Sequence, residues 1–166
     1  MGLNPQLHPQ TAMSSGALSK MQAMYDVKHY QLELEVYPGS KTIEGRVTMR
    51  AIATEHTATV ELDLDPRFEI LETLVNGQLA SHQEVGGKLL LLGPDLQAGS
   101  EFTTIVSYRG KPYEAENPPW DGGFVWAETE SGEHWIATAV QGRGCDLYWP
   151  CKDHVSDKPE SGADML

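Results

Sequence analysis

Apolar and polar residues alternate along much of the chain with a period of two. The alternation is plainest between residues 27 and 37, where the apolar positions are Tyr30, Leu32, Leu34 and Val36. Side chains two residues apart lie on the same face of a strand, so this segment is predicted to have one buried and one solvated face. After a turn at Pro38-Gly39-Ser40 the pattern resumes from residue 43 to residue 51, which predicts a hairpin.

Further segments with strand character follow at short intervals. Asn76-Gly77 is the strongest hairpin signal among the turns between them, because both residues tolerate positive φ. The predicted strands after the first hairpin cover residues 58–64, 68–75, 88–92, 102–108, 123–128 and 134–139. We therefore predict an all-β, antiparallel-rich domain, a sandwich or a large curved sheet of about eight or nine strands.

Two parts of the chain depart from this pattern. Residues 1–24 contain Ser, Gly, Gln and Pro without a strong apolar period, and we expect them to form a largely disordered lead-in. They lack the basic and apolar regions of a signal peptide as they stand, and the compartment stays open. Residues 111–123 contain three prolines, and we expect a long ordered loop there with Trp120 as its anchor.

Size and charge narrow the function classes. The 166 residues suffice for one domain, which at this size buries about 70% of its unfolded surface and needs no disulfide or metal to fold. The net charge of −12 argues against nucleic-acid binding, which needs a basic surface. No apolar run approaches the ~18 residues of a membrane-spanning helix, so no span is predicted.

The chain has two cysteines, Cys145 and Cys151, too few for a disulfide scaffold or a four-thiolate zinc site. They can pair only if the segment between them folds back. We expect two reduced, packed thiols, because free cysteine is commonly buried.

Residue types that carry metal or nucleophilic catalysis are present but not arranged for it. The six histidines include no His-Glu-x-x-His motif and no pair at helical spacing. The chain contains neither a glycine-rich phosphate loop nor a Gly-x-Ser-x-Gly nucleophile turn. We therefore predict no metal ligand and no catalytic residue in this chain.

The segment 141–154 has an unusual composition, with two glycines, two aromatic residues, two cysteines, a proline and mixed charges. Composition alone favours a compact loop packed by Tyr148 and Trp149. We expect its charged side chains to brace the loop through ion pairs or caps. These side chains are Arg143, Asp146 and Asp153.

The spacing within this segment resembles the end of the N-terminal domain in the aminopeptidase N family of zinc metallopeptidases, which includes the leukotriene-hydrolase branch. A glutamine, Gln141, leads the segment, and the run Trp-Pro-Cys-Lys-Asp at residues 149–153 matches its end. Residues 118–124 and Trp135 resemble a bacterial branch of the family, and Val155 replaces a proline that the broad pattern often has. The resemblance covers residues 25–166.

The resemblance implies a saddle-shaped β domain that supports a separate catalytic domain. In the family a zinc held by two His and a Glu activates the water that removes the N-terminal residue of a peptide. The resemblance thus implies a full-length enzyme that holds zinc and binds peptide substrates through a catalytic domain missing from this chain. Residues 25–166 would be its N-terminal domain, cut off before the catalytic domain. By position, the one substrate contact of the N-terminal domain maps onto Gln141, whose amide oxygen would accept a hydrogen bond from the substrate's α-ammonium. Alone, the fragment is expected to be monomeric, inactive and free of zinc.

Two other classes of function remain open at this point. The chain fits a free-standing β-sandwich that binds carbohydrate or protein on a platform of tryptophans, although we expect these tryptophans to lie in the core instead. The four tryptophans are Trp120, Trp126, Trp135 and Trp149. A structural module with a sheet edge that pairs with a partner is the second alternative. Neither explains the ordered run of motifs from Pro118 to Lys158, which falls where the family has a lysine.

Overall fold

The computed structural model describes residues 17–166, and within them strands dominate. Eleven strands and two 3-10 helices, Gln22–Met24 and Cys145–Leu147, follow one another along the chain. The strands are β1 (Tyr25–Tyr37), β2 (Thr42–Ala53), β3 (Thr57–Asp63), β4 (Phe68–Val75), β5 (Gln78–Leu79), β6 (Ser81–Val85), β7 (Lys88–Leu96), β8 (Glu101–Gly110), β9 (Gly123–Glu128), β10 (His134–Ala139) and β11 (Ala163–Met165). The all-β prediction is confirmed.

The strands form three sheets. The largest has six strands in the order β11-β1-β2-β8-β4-β5, a second pairs β3, β7 and β6, and β9 with β10 makes a separate hairpin. All neighbours are antiparallel except β11, which runs parallel to β1. The prediction of about eight or nine strands fell short of eleven, because β5 and β11 are only two and three residues long and every residue of β6 is exposed.

The predicted hairpin at the start of the domain is confirmed, with one irregularity. The register between β1 and β2 shifts between Val27 and His29. A bulge adds a residue to one strand and changes which face the next side chains occupy. Val27 and Tyr30, three residues apart, are therefore both buried.

A single apolar cluster joins the six-stranded sheet to the three-stranded sheet. Aromatic side chains meet edge to face within it: Tyr25 against Phe102 at 5.9 Å, and Phe68 against Tyr108 at 5.2 Å between ring centroids. Val60 and Leu91 bring the three-stranded sheet into the same cluster. The core therefore fixes β8, from whose end the loop of residues 111–123 continues.

The packed chain begins before Tyr25. The side chain of Gln22 is 2% exposed, and its Nε2 donates to Asp63 Oδ2 at 2.5 Å. Residues 1–16 of the predicted lead-in lie outside the described residues.

Candidate functional site

Gln141, the predicted substrate contact, lies in an exposed turn directly after β10. The turn covers residues 140–143 and is called the Gln141 turn below. The backbone N–H of Arg143 donates to the carbonyl of Val140 at 3.3 Å and closes it. Gly142 has φ 71°, a left-handed conformation that glycine adopts without strain. The sequence Gln-Gly thus presents the glutamine at the surface, available to another molecule.

The strand that leads into this turn is fixed by a buried phenol. The Tyr148 hydroxyl accepts a hydrogen bond from the Gly123 N–H at 2.9 Å and donates one to the Ala139 carbonyl. Tyr108 in turn donates to the Tyr148 carbonyl at 2.7 Å. Burial raises the pKa of the Tyr148 phenol, which keeps its proton for donation. The start of β9 and the end of β10 are therefore tied to the core one residue before the Gln141 turn.

The two cysteines form a disulfide, so the prediction of reduced thiols was wrong. The 3-10 helix at Cys145–Leu147 reverses the chain and brings Cys151 to a Cα separation of 6.2 Å from Cys145. This lies in the usual range for a disulfide. Cys151 is fully buried, as expected, and its backbone pairs with Asp63, whose N–H donates to the Cys151 carbonyl at 2.6 Å.

The loop of residues 111–123, the proline loop, is anchored by Tyr113 and not by Trp120. Tyr113 is 6% exposed, whereas Trp120 is 69% exposed. The guanidinium groups of Arg67 and Arg143 lie over the Tyr113 ring at 5.2 and 5.9 Å from its centroid. Arg143 also pairs with Asp121 of the proline loop, 2.7 Å from Nη2 to Oδ1, which confirms its predicted role in an ion pair.

Asp146 does not brace the loop as predicted. It is 2% exposed, no cation pairs with it among residues 17–166, and no side chain caps the helix that contains it. Burial, with a further contribution from the charges of Asp153, Asp63 and Asp65, raises the pKa of Asp146 to about 8. Most of the carboxyl therefore keeps its proton at pH 7. Asp153 contributes through its backbone N–H, which donates to Asp63 Oδ2 at 2.9 Å.

An apolar cavity of about 290 Å³ borders the Gln141 turn at Val140. Its lining includes Leu34 of β1, Ile136 of β10, Val140 of the turn itself, and Trp149. The turn therefore contributes Val140 to an apolar cavity and Arg143 to an ion pair with Asp121.

The tryptophans divide into two pairs. Trp126 and Trp149 are partly buried against the core, and Trp126 stacks on Phe124 at 5.4 Å. Trp120 and Trp135 are 69% and 62% exposed. A platform of four tryptophans is thus excluded, and two remain at the surface.

The described part of the chain holds no group of three or more His, Cys, Asp or Glu side chains arranged to bind a metal ion. Helices long and apolar enough to cross a membrane are likewise absent from residues 17–166.

Solved structures share this arrangement of strands. A two-domain M1 zinc metallopeptidase bound to L-arginine matches with a TM-score of 0.63 and 28% identity, over 82% of this chain and 31% of that one. The chain has the fold of an M1 zinc metallopeptidase N-terminal domain. A variant of the M1 zinc metallopeptidase from Deinococcus radiodurans, bound to a Tyr-Ser-Ala substrate, gives a TM-score of 0.61 at 28% identity over the same shares. This confirms the resemblance found in the motifs.

Yeast leukotriene A4 hydrolase in complex with bestatin has the same fold. Its TM-score is 0.66 at 18% identity, over 97% of this chain and 25% of that one. The chain spans about a third of the length of the metallopeptidases it matches. No protein-family model and no curated protein matches the sequence.

Proposed function

We propose that this chain is the non-catalytic N-terminal domain of a zinc aminopeptidase, and that Gln141 contacts the α-ammonium of the peptide substrate. The observation that carries the proposal is the exposed position of Gln141 in a turn attached to a rigid strand end, within a fold shared with M1 metallopeptidases. In this proposal another domain of a longer protein holds the metal, as in a two-domain enzyme whose catalytic part is separate. The zinc would supply the activated water there.

The chemistry of Gln141 suits recognition of a free amino terminus. Its amide oxygen accepts a hydrogen bond, and an ammonium group is a charged donor with three N–H bonds. A hydrogen bond to a charged group contributes about 1.5–3 kcal/mol, or about tenfold or more in binding. The contact would favour peptides with an unmodified N-terminus and orient them for hydrolysis.

The family assignment is tested with the longest natural reading frame that contains this sequence. Hydrolysis of alanine and leucine anilides is measured for that protein and for the 166-residue chain, each with and without a zinc chelator. Chelator-sensitive release by the long protein alone supports the proposal. Absence of release by the long protein overturns it.

The contact is tested in the same long protein by Gln141→Ala. We expect kcat/KM for alanine anilide to fall about tenfold, mostly through KM, because a hydrogen bond made on binding is lost. Gln83→Ala on β6 is the matched control, since it removes the same exposed side chain from a different sheet. Unchanged kinetics for Gln141→Ala would overturn the contact while leaving the domain assignment intact.

A carbohydrate-binding domain is the second candidate, favoured by the exposed rings of Trp120 and Trp135. Tryptophan fluorescence during titration with mono- and oligosaccharides tests it. Saturable quenching that is lost in both Trp120→Ala and Trp135→Ala would support sugar binding. Fluorescence that does not change during the titration would exclude this candidate function.

A further inference from the structure

Arg143 follows Gln141 by two residues, and its side chain is held on several sides. Its Nη2 lies 2.7 Å from Asp121 Oδ1, and the two side chains are only 20% and 18% exposed. Gly122 packs against the start of the same side chain, because a Cβ added at Gly122 would lie 2.2 Å from Arg143 Cγ. The Arg143 side chain therefore links the Gln141 turn to the proline loop.

The acceptor of this ion pair is itself fixed. Asp121 Oδ2 accepts hydrogen bonds from the Glu116 N–H at 3.1 Å and from the Tyr113 hydroxyl at 3.2 Å. Burial acts to raise the pKa of Asp121, but the Glu116 N–H and the Arg143 guanidinium outweigh it and lower the pKa. Asp121 is therefore a charged partner with a defined orientation at neutral pH.

Tyr113 connects this pair to the folded core. Its ring packs under Arg143 and under Arg67, and Arg67 is bound to the buried Asp65 at 2.7 Å. The Tyr113 carbonyl accepts a hydrogen bond from the Phe124 N–H at 2.7 Å, at the start of the β9–β10 hairpin. The Gln141 turn is thus fixed at its strand end by Tyr148 and at its other end by Arg143.

We propose that Arg143 is a positioning residue, whose ion pair with Asp121 holds the Gln141 turn so that the glutamine amide meets the substrate's α-ammonium. The inference rests on the proposed function of Gln141. Arg143 is committed to Asp121 and Tyr113, and it acts on the substrate through the turn. Misplacing a substrate-positioning group by about 1 Å costs up to about 100-fold in rate, so a distant support of this kind is measurable.

The test uses the full-length enzyme and a double-mutant cycle. Arg143→Met is compared with Gln141→Ala and with the double variant, and KM and kcat are determined separately for alanine anilide. We expect Arg143→Met to raise KM about fivefold or more with little change in kcat, and to add little in the Gln141→Ala background. Arg143→Lys restores part of the loss, because it keeps the charge beside Asp121.

Two further variants separate positioning from folding. Asp121→Asn is nearly isosteric, removes the charge that Arg143 faces, and is expected to raise KM in the same way. Arg109→Met breaks an exposed pair, Arg109 with Glu69, whose side chains are 55% and 62% exposed, and should leave the kinetics unchanged. A loss of folded protein would lower apparent kcat and leave KM alone.

The outcomes distinguish this inference from the proposed function. If Gln141→Ala raises KM while both Arg143→Met and Asp121→Asn leave it unchanged, positioning by Arg143 is wrong and the contact stands. Losses that multiply in the double variant also overturn it, since Arg143 would then act independently of Gln141. If Gln141→Ala has no effect, the contact fails first and the positioning role with it.

Discussion

Lys152 and Asp157 form an ion pair inside the protein, with side chains that are 5% and 6% exposed. Lys152 Nζ also donates to the Tyr25 carbonyl at 2.6 Å and lies 4.6 Å from the centroid of the Tyr25 ring. Asp157 accepts the backbone N–H of Val27 at 3.2 Å. The pair therefore fastens the segment after the disulfide to the first residues of β1.

Removing one partner of this pair should be costly. Lys152→Met leaves the Asp157 carboxylate buried without its cation, and we expect the free energy of unfolding to fall by about 3–5 kcal/mol. Urea unfolding followed by circular dichroism measures it. Lys41→Met breaks a pair with Glu114 whose side chains are 47% and 48% exposed, and is expected to cost less than about 1 kcal/mol. Equal losses in the two variants would contradict a special role for the buried pair.

Asp146 predicts a pH dependence of stability. Its pKa is raised to about 8 in the folded protein, against 3.8 in a model peptide. Between those values the unfolded chain releases the proton that the folded protein keeps, so this group lowers stability as the pH rises from about 4 to about 8. Above about 8 both states are ionised and the penalty is constant.

Asp146→Asn removes that titration. We expect the variant to gain stability over the wild type progressively between pH 4 and pH 8, reaching several kcal/mol, while the two proteins converge near pH 4. Urea midpoints at five pH values measure the difference. Glu101→Gln, an exposed carboxylate at the start of β8, serves as the control and should follow the wild type. A constant offset between Asp146→Asn and wild type would show that the carboxyl does not titrate in this window.

The disulfide should stabilise the domain modestly. It closes a short loop with a sequence separation of six, for which the entropy of loop closure gives about 2 kcal/mol. We expect a reducing agent to lower the thermal midpoint by about 4–8 °C and to have no effect on a Cys145→Ala/Cys151→Ala variant. Thiol titration in denaturant, without reductant, should detect no free thiol. Detection of two reactive thiols would contradict the disulfide and support the reduced state predicted from composition.

Gly45 is predicted to tolerate no side chain. A Cβ at this position would lie 2.5 Å from the ring of Tyr108, its cross-strand partner on β8. Gly45→Ala forces Tyr108 out of place and weakens its hydrogen bond to Tyr148, at a cost of about 1–3 kcal/mol. Gly39→Ala is the control, because nothing lies within 4 Å of a Cβ there. Equal midpoints for the two variants would show that Tyr108 moves aside freely.

The sequence predicted the long strands because each has one face in the core and a clear period of two. It did not predict the parallel pairing of β11 with β1, since a three-residue strand has too few positions to show a period. The sequence also did not predict the order of the strands in the sheets, because pairing between distant strands depends on packing and not on local pattern.

The candidate site was predictable only in part. Gln141 came from spacing and resemblance, and its contact with a substrate stays a prediction. The pairing of Asp121 with Arg143 was missed, although a signal existed: opposite charges flank the β9–β10 hairpin, and an antiparallel hairpin brings its two ends together. The disulfide was missed because the 3-10 helix between the cysteines has no apolar period, so the sequence pattern does not show that the chain folds back there.

The attachments of β1 also determine the order in which the domain can be completed. Tyr25, Val27 and Tyr30 each have a partner among Lys152 and Asp157, more than 120 residues further along the chain. During synthesis from the N-terminus, the first strand leaves the ribosome long before those partners exist. β1 and β2 can pair early. The buried polar groups at the start of β1 have no partners until nearly the whole domain has been synthesised. The segment that also carries the disulfide must therefore be made before the polar groups at the start of β1 find their partners.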